Sequence, residues 1–357
     1  MNPIFANGYT IHFNEIGYEA VNEFIKNNNY SSVYVLVDTN TNTYCASRFI
    51  ANITTMLPIE IIEIDTEESN SESSKNITTC AEIWSILTEL GADRKSVLIN
   101  LGGGVITDLG GFVASTFKRG IDFIHVPTTL LGMVDAAIGG KNGVDLGNLK
   151  NQIGIINVPK LVLIDTCFLE SLPQREMRSG LAEMLKHGLI ADQLYWRRFL
   201  DLETLTFDDL DTLIHRSVAI KNDIVTQDPT ENGIRKALNF GHTLGHAIES
   251  HFLESKTPLL HGEAIAIGMI LESYLSKEKN IISQEEYLQI KQTITSLFGT
   301  VAISQNDIES LLNLLIHDKK NEYGKVQFVL LDGIGKVTIN QFVENDSILN
   351  SFNDYLM

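Results

Sequence analysis

Two histidines four residues apart are the strongest chemical signal in this chain. They fall in NFGHTLGHAIES, residues 239–250, where His242 and His246 would lie one turn apart on a single helix face. A third histidine, His261, opens the stretch LLHGEAIAIG, and a carboxylate, Glu183, lies within SGLAEMLKHG. Two imidazoles and one carboxylate leave a divalent cation open to substrate, as in catalytic rather than structural zinc sites. The glutamate of an HExxH metallopeptidase is missing, which argues against peptide hydrolysis. Residue types alone leave the ligands open among His242, His246, His261, His187 and His251, and a helical histidine pair also occurs as ordinary packing.

Three further groupings could hold an anionic ligand. LGGGVITDLGG, residues 101–111, follows the apolar run SVLINL. Consecutive glycines let a backbone approach a bulky anion, and a helix that follows turns free N–H groups toward a phosphate. The order is not G-x-G-x-x-G, so a tight strand-to-helix turn explains these glycines equally well. Residues 118–151 carry Lys118, Arg119, Lys141 and Lys150 against Asp122, Asp135 and Asp145, in a chain of net charge −18. With Gly139, Gly140 and Gly143 around Lys141, this suits a phosphate or carboxylate pocket, although lysines also simply solvate loops. Finally, Asp228, Glu231, Arg235 and Asn239 lie just upstream of the histidines, and Arg235, Asn239 and His242 could line one face toward a polar ligand.

The elements that must position these groups change character along the chain. The first half alternates short Val/Ile-rich runs, 32–38, 59–64, 96–101, 122–126 and 161–165, with amphipathic stretches such as 76–91, which ends on Gly91. Runs that are apolar throughout suit strands buried on both faces, and the alternation predicts an α/β layer with a mostly parallel sheet. Beyond about residue 167 the pattern predicts helices over 174–200, 207–227, 236–254, 261–280, 284–298 and 306–317. One exception, 326–342, reads as a β-hairpin around a Gly-containing turn. The expected division is therefore an α/β domain over 1–165 and a mainly helical domain over 166–357.

Composition narrows the function classes. The 27 Lys+Arg against 45 Asp+Glu disfavour nucleic acid and acidic lipid as partners. No run approaches the roughly 20 apolar residues that span a bilayer, and MNPIFANGYTIHFNE lacks the basic start of a signal peptide. Cys45, Cys80 and Cys167 are odd in number, widely spaced and form no CxxC, which fits packed thiols and a reduced, cytoplasmic setting.

Taken together, GGGVITDLGGFVASTFKRGI, HVPTTLL, VDAAIGGKNGVDLGNLKNQIG, SGLAEMLKHGLI, LNFGHTLGHAIE, LLHGEAIAIGM and HDKK closely resemble the 3-dehydroquinate synthase family, in its order and over about residues 32–335. The resemblance implies a dinucleotide-binding α/β domain, a helical metal-binding domain, NAD, zinc or cobalt, and usually a homodimer. It implies Glu183, His242 and His261 as metal ligands, and Glu231 with His246 in proton transfer. Asp135, Lys141, Asn151, Lys186, Lys221, Arg235 and Asn239 would grip the substrate's hydroxyls, carboxylate and phosphate. Arg119 would reach a phosphate pocket across a dimer interface, and one lysine of the 319–320 pair, Lys320, would close over the ligand. For NAD it implies Asp38, Glu72, Lys75, Gly103, Gly104, Val105, Asp108, Thr128, Thr129, Lys141, Lys150, Phe168, Leu169, Glu170 and Ser171. Three departures stand out: Thr107 and Ser71 where the family favours Gly, and Asn142 where it has Thr; Thr107 would narrow the room beside the pyrophosphate. The implied reaction is a phosphate-eliminating cyclisation of a seven-carbon phosphorylated keto acid, part of the shikimate pathway. Alternatives are another sugar-phosphate cyclase, such as 2-deoxy-scyllo-inosose or 2-epi-5-epi-valiolone synthase, a metal-dependent polyol dehydrogenase, or an NAD-binding regulator.

Overall fold

The computed structural model describes residues 1–65, 71–147, 149–200, 207–253, 255, 257–316 and 326–357. They form two compact units, Met1–Pro173 and Gln174–Met357. The division falls after the 3₁₀ turn Thr166–Ser171, so that turn closes the first unit rather than opening the second.

The first unit is built on strands β1 (Ile4–Ala6), β2 (Tyr9–Phe13), β3 (Val33–Asp38), β4 (Ile59–Ile64), β5 (Val97–Gly102), β6 (Asp122–Pro127), β7 (Lys141–Leu146), β8 (Leu149–Ile156) and β9 (Leu161–Ile164). Its helices are α1 (Asn14–Asn27), α2 (Thr39–Thr41), α3 (Ser47–Ala51), α4 (Ile77–Glu89) and α5 (Gly104–Thr116). The main sheet has the order β1-β2-β9-β6-β5-β3-β4, parallel except for β1 on β2. All of β5 and β9 and nearly all of β3 are buried, as continuous apolar runs require when helices cover both faces. After β3 the chain steps out to β4, then returns to the far side of β3 as β5. This reversal is a topological switch point, and the crevice outside the carboxyl ends of two such strands is where doubly wound sheets bind ligands. Asp38 ends β3 and Gly102 ends β5. The hairpin β7–β8, with Lys141 opposite Ile156, occupies a stretch that reads by sequence as a glycine-rich pocket loop. Its burial does not alternate, since Asn142, Gly143 and Val144 are buried in succession and β8 is mostly exposed, so no period of two shows in the sequence.

The second unit contains α6 (Gln174–Ala191), α7 (Gln193–Arg197), α8 (Phe207–Gln227), α9 (His242–Phe252), α10 (His261–Glu278), α11 (Gln284–Phe298) and α12 (Gln305–Ile316). The antiparallel pair β10 (Phe328–Leu331) and β11 (Val337–Gln341), then α13 (Asn345–Tyr355), complete it. Two expected helices are broken. The stretch 174–200 is interrupted at Asp192, whose extended backbone and carboxylate cap α7 through Tyr195 N. The stretch 236–254 divides into a 3₁₀ turn, Ile234–Asn239, and α9, because Phe240 is extended and Gly241 takes φ +78°.

Candidate functional site

Each unit carries one built site. In the second, α9 and α10 cross so closely that a Cβ on Gly268 would lie 2.0 Å from Gly241 O and 2.8 Å from Gly245 N. Helix α10 also meets α6 closely, since a Cβ on Gly262 would lie 2.1 Å from Ser179 O. These small residues draw three helices together, and each contributes a donor: Glu183 from α6, His242 as the first residue of α9, and His261 as the first of α10. The Nε2 atoms of His242 and His261 each lie 3.6 Å from Glu183 Oε1. Neighbouring ligands on a tetrahedral zinc at about 2.05 Å are about 3.3 Å apart, close to these two contacts, and all three donor atoms lie within 4.8 Å of one another.

Hydrogen bonds behind the donors set their polarity. His242 Nδ1 meets the Phe240 carbonyl at 3.0 Å, and His261 Nδ1 meets Glu249 Oε2 at 3.2 Å. Carbonyl and carboxylate oxygens only accept, so both Nδ1 atoms carry hydrogen, which leaves Nε2, on the Glu183 side, as the nitrogen of each ring able to bind a cation. Lys186 Nζ pairs with the other oxygen of Glu183, and both side chains are buried. Burial alone would lower the His261 pKa, yet the Glu249 and Glu183 carboxylates push it up to about 10. The carboxylates around His261 favour a positive charge at this point, a proton or a cation in its place.

His246 lies beside this cluster, its ring centroid 5.1 Å from that of His242 and 5.8 Å from that of His261. His251 Nε2 pairs with Asp307 at 2.8 Å, away from this cluster, whereas His187 binds Ser217 Oγ through Nδ1 at 2.7 Å and also offers a ring nitrogen within 4.8 Å of a Glu183 oxygen. Upstream, the Asp228 carboxylate accepts from the backbone N–H of Asn232, Gly233 and Arg235 and shapes the turn before the 3₁₀ helix. There Asn239 Nδ2 donates to Glu231 Oε1 at 2.9 Å, and Glu231 itself sits at φ +61°. Arg235 is buried with Nη1 on the Pro229 carbonyl, and Lys221 is buried on α8. Lys319 and Lys320 lie outside the described residues.

The first unit has a glycine-lined cradle at its switch point, where the sequence places the cofactor residues. Gly103 is the extended residue before α5, and a Cβ there would come within 3.0 Å of Thr129 Cγ2; one on Gly104 would come within 3.3 Å of Ala136 Cβ. Bare backbone therefore leads into a helix whose first N–H groups, with Val105 in the first turn, suit a pyrophosphate. Thr128 N bonds Gly102 O, tying the ends of β5 and β6, while Thr129 Oγ1 accepts from Gly132 N. Asp38 Oδ1 accepts from Thr41 N at the end of β3. A charged network stands nearby along the chain's polar loop: Lys75 contacts Asp108 at 2.6 Å and Glu72 at 3.9 Å, and Lys150 contacts Glu72 at 3.3 Å. Burial would lower the Lys75 pKa, but Asp108 and Glu72 hold it above its ordinary value; burial raises Asp108, with Lys75 opposing.

The remaining sequence candidates fall on connections. Phe168, Leu169, Glu170 and Ser171 form the turn after β9, the first two buried. Asp135 lies on a π-turn after β6, Lys141 begins β7, and Asn151 takes φ +52° with its N–H on Asp145. Arg119 is exposed, at φ +70°. Thr107 is fully buried with its hydroxyl on the Gly104 carbonyl, so its extra atoms are spent inside the first turn of α5. Asn142 donates to the Gly140 and Asn157 carbonyls and pins β7. The Ser71 side chain lies outside what is described.

Two buried carboxylates were not singled out by sequence. Glu249 follows His242 by seven residues and His246 by three, a helical spacing that could have flagged it. Glu272 accepts from Gly241 N at 2.7 Å and Leu244 N at 3.2 Å, so α10 caps the helix that His242 opens.

Known proteins resemble this chain in sequence and in fold. Family models described as 3-dehydroquinate synthase N-terminal and C-terminal match residues 66–179 and 180–321. A 3-dehydroquinate synthase of Parabacteroides distasonis is 41% identical over 335 residues, 93% of this chain and 94% of the relative. That of Rippkaea orientalis is 43% identical over 285 residues, 78% and 77% of the two chains. Among solved structures, a 2-deoxy-scyllo-inosose synthase complexed with carbaglucose-6-phosphate, NAD+ and Co2+ is similar with a TM-score of 0.82 at 25% identity, over 99% of each chain. The 2-epi-5-epi-valiolone synthase ValA of Streptomyces hygroscopicus, with NAD+ and Zn2+, reaches 0.84 at 24% identity, over 100% of this chain and 99% of that one. On the strength of the matched motifs and the length they span, the chain belongs to the 3-dehydroquinate synthase family.

Proposed function

We propose that this chain converts 3-deoxy-D-arabino-heptulosonate 7-phosphate to 3-dehydroquinate and inorganic phosphate, using NAD and a divalent cation, zinc or cobalt. The observation that carries the reading is the convergence of Glu183, His242 and His261, with both imidazole Nε2 atoms turned to one carboxylate oxygen. When bound, NAD supplies reversible hydride transfer at the C5 alcohol and the cation supplies Lewis acidity at its oxygen.

The chain's own residues do the rest. Lys186 holds Glu183 so that one carboxylate oxygen faces the histidines. Glu231 and His246 take up and return the proton of the reacting hydroxyl oxygen. Arg235 and Asn239 grip the substrate carboxylate, and Asn239 keeps Glu231 in place through its amide. Asp135 and Asn151 hold hydroxyls; Lys141, Lys186, Lys221 and Arg119 neutralise carboxylate and phosphate oxygens. In a chain of net charge −18 such local cations decide whether an anionic substrate binds at all. A ketone at C5 acidifies the neighbouring C–H, and phosphate leaves with that proton removed to its own oxygen. The residues that clamp the anion also keep water from the transient enone. Asp38, the Gly103–Val105 backbone, Thr128, Thr129, Phe168–Ser171 and the Glu72–Lys75–Asp108–Lys150 network would hold NAD.

Arg119, exposed on a turn at positive φ, suits a contact to a second copy, and we read the active form as a homodimer. The free thiols Cys45, Cys80 and Cys167 suit a cytoplasmic enzyme. The test is product analysis with the heptulosonate phosphate and catalytic NAD. Phosphate should appear in step with the carbocycle, without lasting NADH absorbance. NADH accumulation without phosphate would make the chain a polyol dehydrogenase, and preferred turnover of a hexose phosphate lacking the carboxylate would make it a different cyclase.

A further inference from the structure

We propose that Glu249 is a positioning residue for the cation site, its buried carboxylate holding His261 in the one tautomer that offers Nε2 to a cation. The inference rests on the reading of Glu183, His242 and His261 as the ligands.

The two imidazoles of the site are backed differently. His242 Nδ1 is held by a neutral carbonyl, Phe240 O at 3.0 Å, in its own chain segment. His261 has no such local support: it is the first residue of α10, with Leu260 before it extended. Its Nδ1 is held instead by a charge from another helix, Glu249 Oε2 at 3.2 Å. Glu249 is 4% exposed, and its α9 position faces α10, where the glycine crossing brings the two helices together. An ionised carboxylate cannot donate, so Nδ1 keeps its hydrogen and Nε2, 3.6 Å from Glu183 Oε1, is the nitrogen left to bind a cation. The negative charge behind the ring also makes Nε2 a stronger donor, and partners of this kind tune metal affinity by about 10–100-fold.

A competing arrangement is present in the same atoms. His246, Glu249 and His261 also place donor atoms within 4.8 Å of one another. In that arrangement Glu249 would itself ligate, and His261 would have to turn Nδ1 to the cation. The histidine 15N spectrum of the zinc-loaded protein separates the two, because a metallated and a protonated ring nitrogen differ widely in shift.

The experiment measures zinc affinity by competition with a chromophoric chelator, for the wild type and for Glu249→Gln, Glu249→Leu and His242→Ala. Glu249→Leu should weaken binding by about 10–100-fold. Glu249→Gln, whose side-chain oxygen still accepts from Nδ1, should fall between it and the wild type. The 15N spectrum should show His261 protonated at Nδ1 and metallated at Nε2. That spectrum needs no variant, so it decides the matter even if Glu249→Leu fails to fold. Wild-type affinity in Glu249→Leu, or a metallated Nδ1, would overturn the proposal. Should His242→Ala also keep wild-type affinity, the ligand reading has failed; should it lose zinc while Glu249→Leu does not, only the role of Glu249 has failed.

Discussion

Replacing Gly268 by alanine tests whether the helix crossing sets the cation site. A Cβ at this position would sit 2.0 Å from Gly241 O, where real contacts essentially never fall below 3.0 Å, so α9 and α10 must part by about 1 Å. The obstacle is backbone on both sides, so no side chain can rotate away. His242 opens one helix and His261 opens the other. Metal–ligand distances tolerate only about 0.2 Å, so a displacement several times larger cannot be absorbed without weakening one bond. Overpacking of this kind costs about 1–3 kcal/mol, which for a unit of this size lowers Tm by roughly 2–10 °C. The expected result is at least a tenfold loss of zinc affinity by chelator competition, with a lower Tm that excess zinc partly restores. Gly91→Ala is the control: no atom lies within 4 Å of the new Cβ, and φ +79° alone makes it unfavourable. It should lower Tm through backbone strain and leave zinc affinity unchanged. Wild-type zinc affinity in Gly268→Ala would refute the idea that this crossing sets ligand geometry.

Other expectations follow from the same contacts. His242→Ala should lose zinc and turnover together, whereas His246→Ala should keep zinc, by elemental analysis, and lose rate. Lys75→Met strands a mostly buried Asp108 and should destabilise the protein by about 3–5 kcal/mol in denaturant titrations; adding Asp108→Asn should recover most of that stability without restoring NAD binding. His125 is buried beside Asn100 with its pKa pushed down to about 3, so the folded state stays neutral while the unfolded chain takes up a proton. Its contribution is complete above pH 6.5 and is lost as pH falls toward 3, at about 1.4 kcal/mol per pH unit. Urea midpoints between pH 6.5 and 5 should therefore fall more steeply in the wild type than in His125→Gln; equal slopes would exclude His125 as the source.

The fold was legible where burial is two-sided or strictly periodic. Strands β3, β5 and β9 announce themselves as apolar runs because they are buried along almost their whole length, whereas the edge strand β4, IEIIEI, is half exposed and shows only in its isoleucines. The hairpin β7–β8 did not, since KNGVDL and LKNQIGII mix glycine with exposed apolar residues, Leu146, Leu149, Ile155 and Ile156, that follow no alternation. Helix ends failed for a local reason. Apolar spacing runs through Asp192 and through Phe240–Gly241, but a capping carboxylate stops one helix and a left-handed glycine restarts the other.

At the site, residue types were legible and their partners were not. Sequence offers His242, His246 and Glu249 on one face of one helix, and nothing in their spacing says which donors share a cation. The choice depends on which ring nitrogen each neighbour occupies, and that follows from how α6, α9 and α10 cross. Gly262, Gly268, Gly241 and Gly245 set those crossings by having no side chain, so the motif letters that look least chemical decide the chemistry. Once the crossings are fixed, Phe240 O and Glu249 Oε2 take the two Nδ1 atoms, and Glu183 Oε1 faces both Nε2 atoms. The same crossing brings Glu272 of α10 onto Gly241 N and Leu244 N, where its charge stabilises the N-terminus of α9 just as a cation would oppose it. A glycine, a cap and a carboxylate behind a ring are therefore one device: each removes a freedom that the three donors would otherwise have to lose on binding.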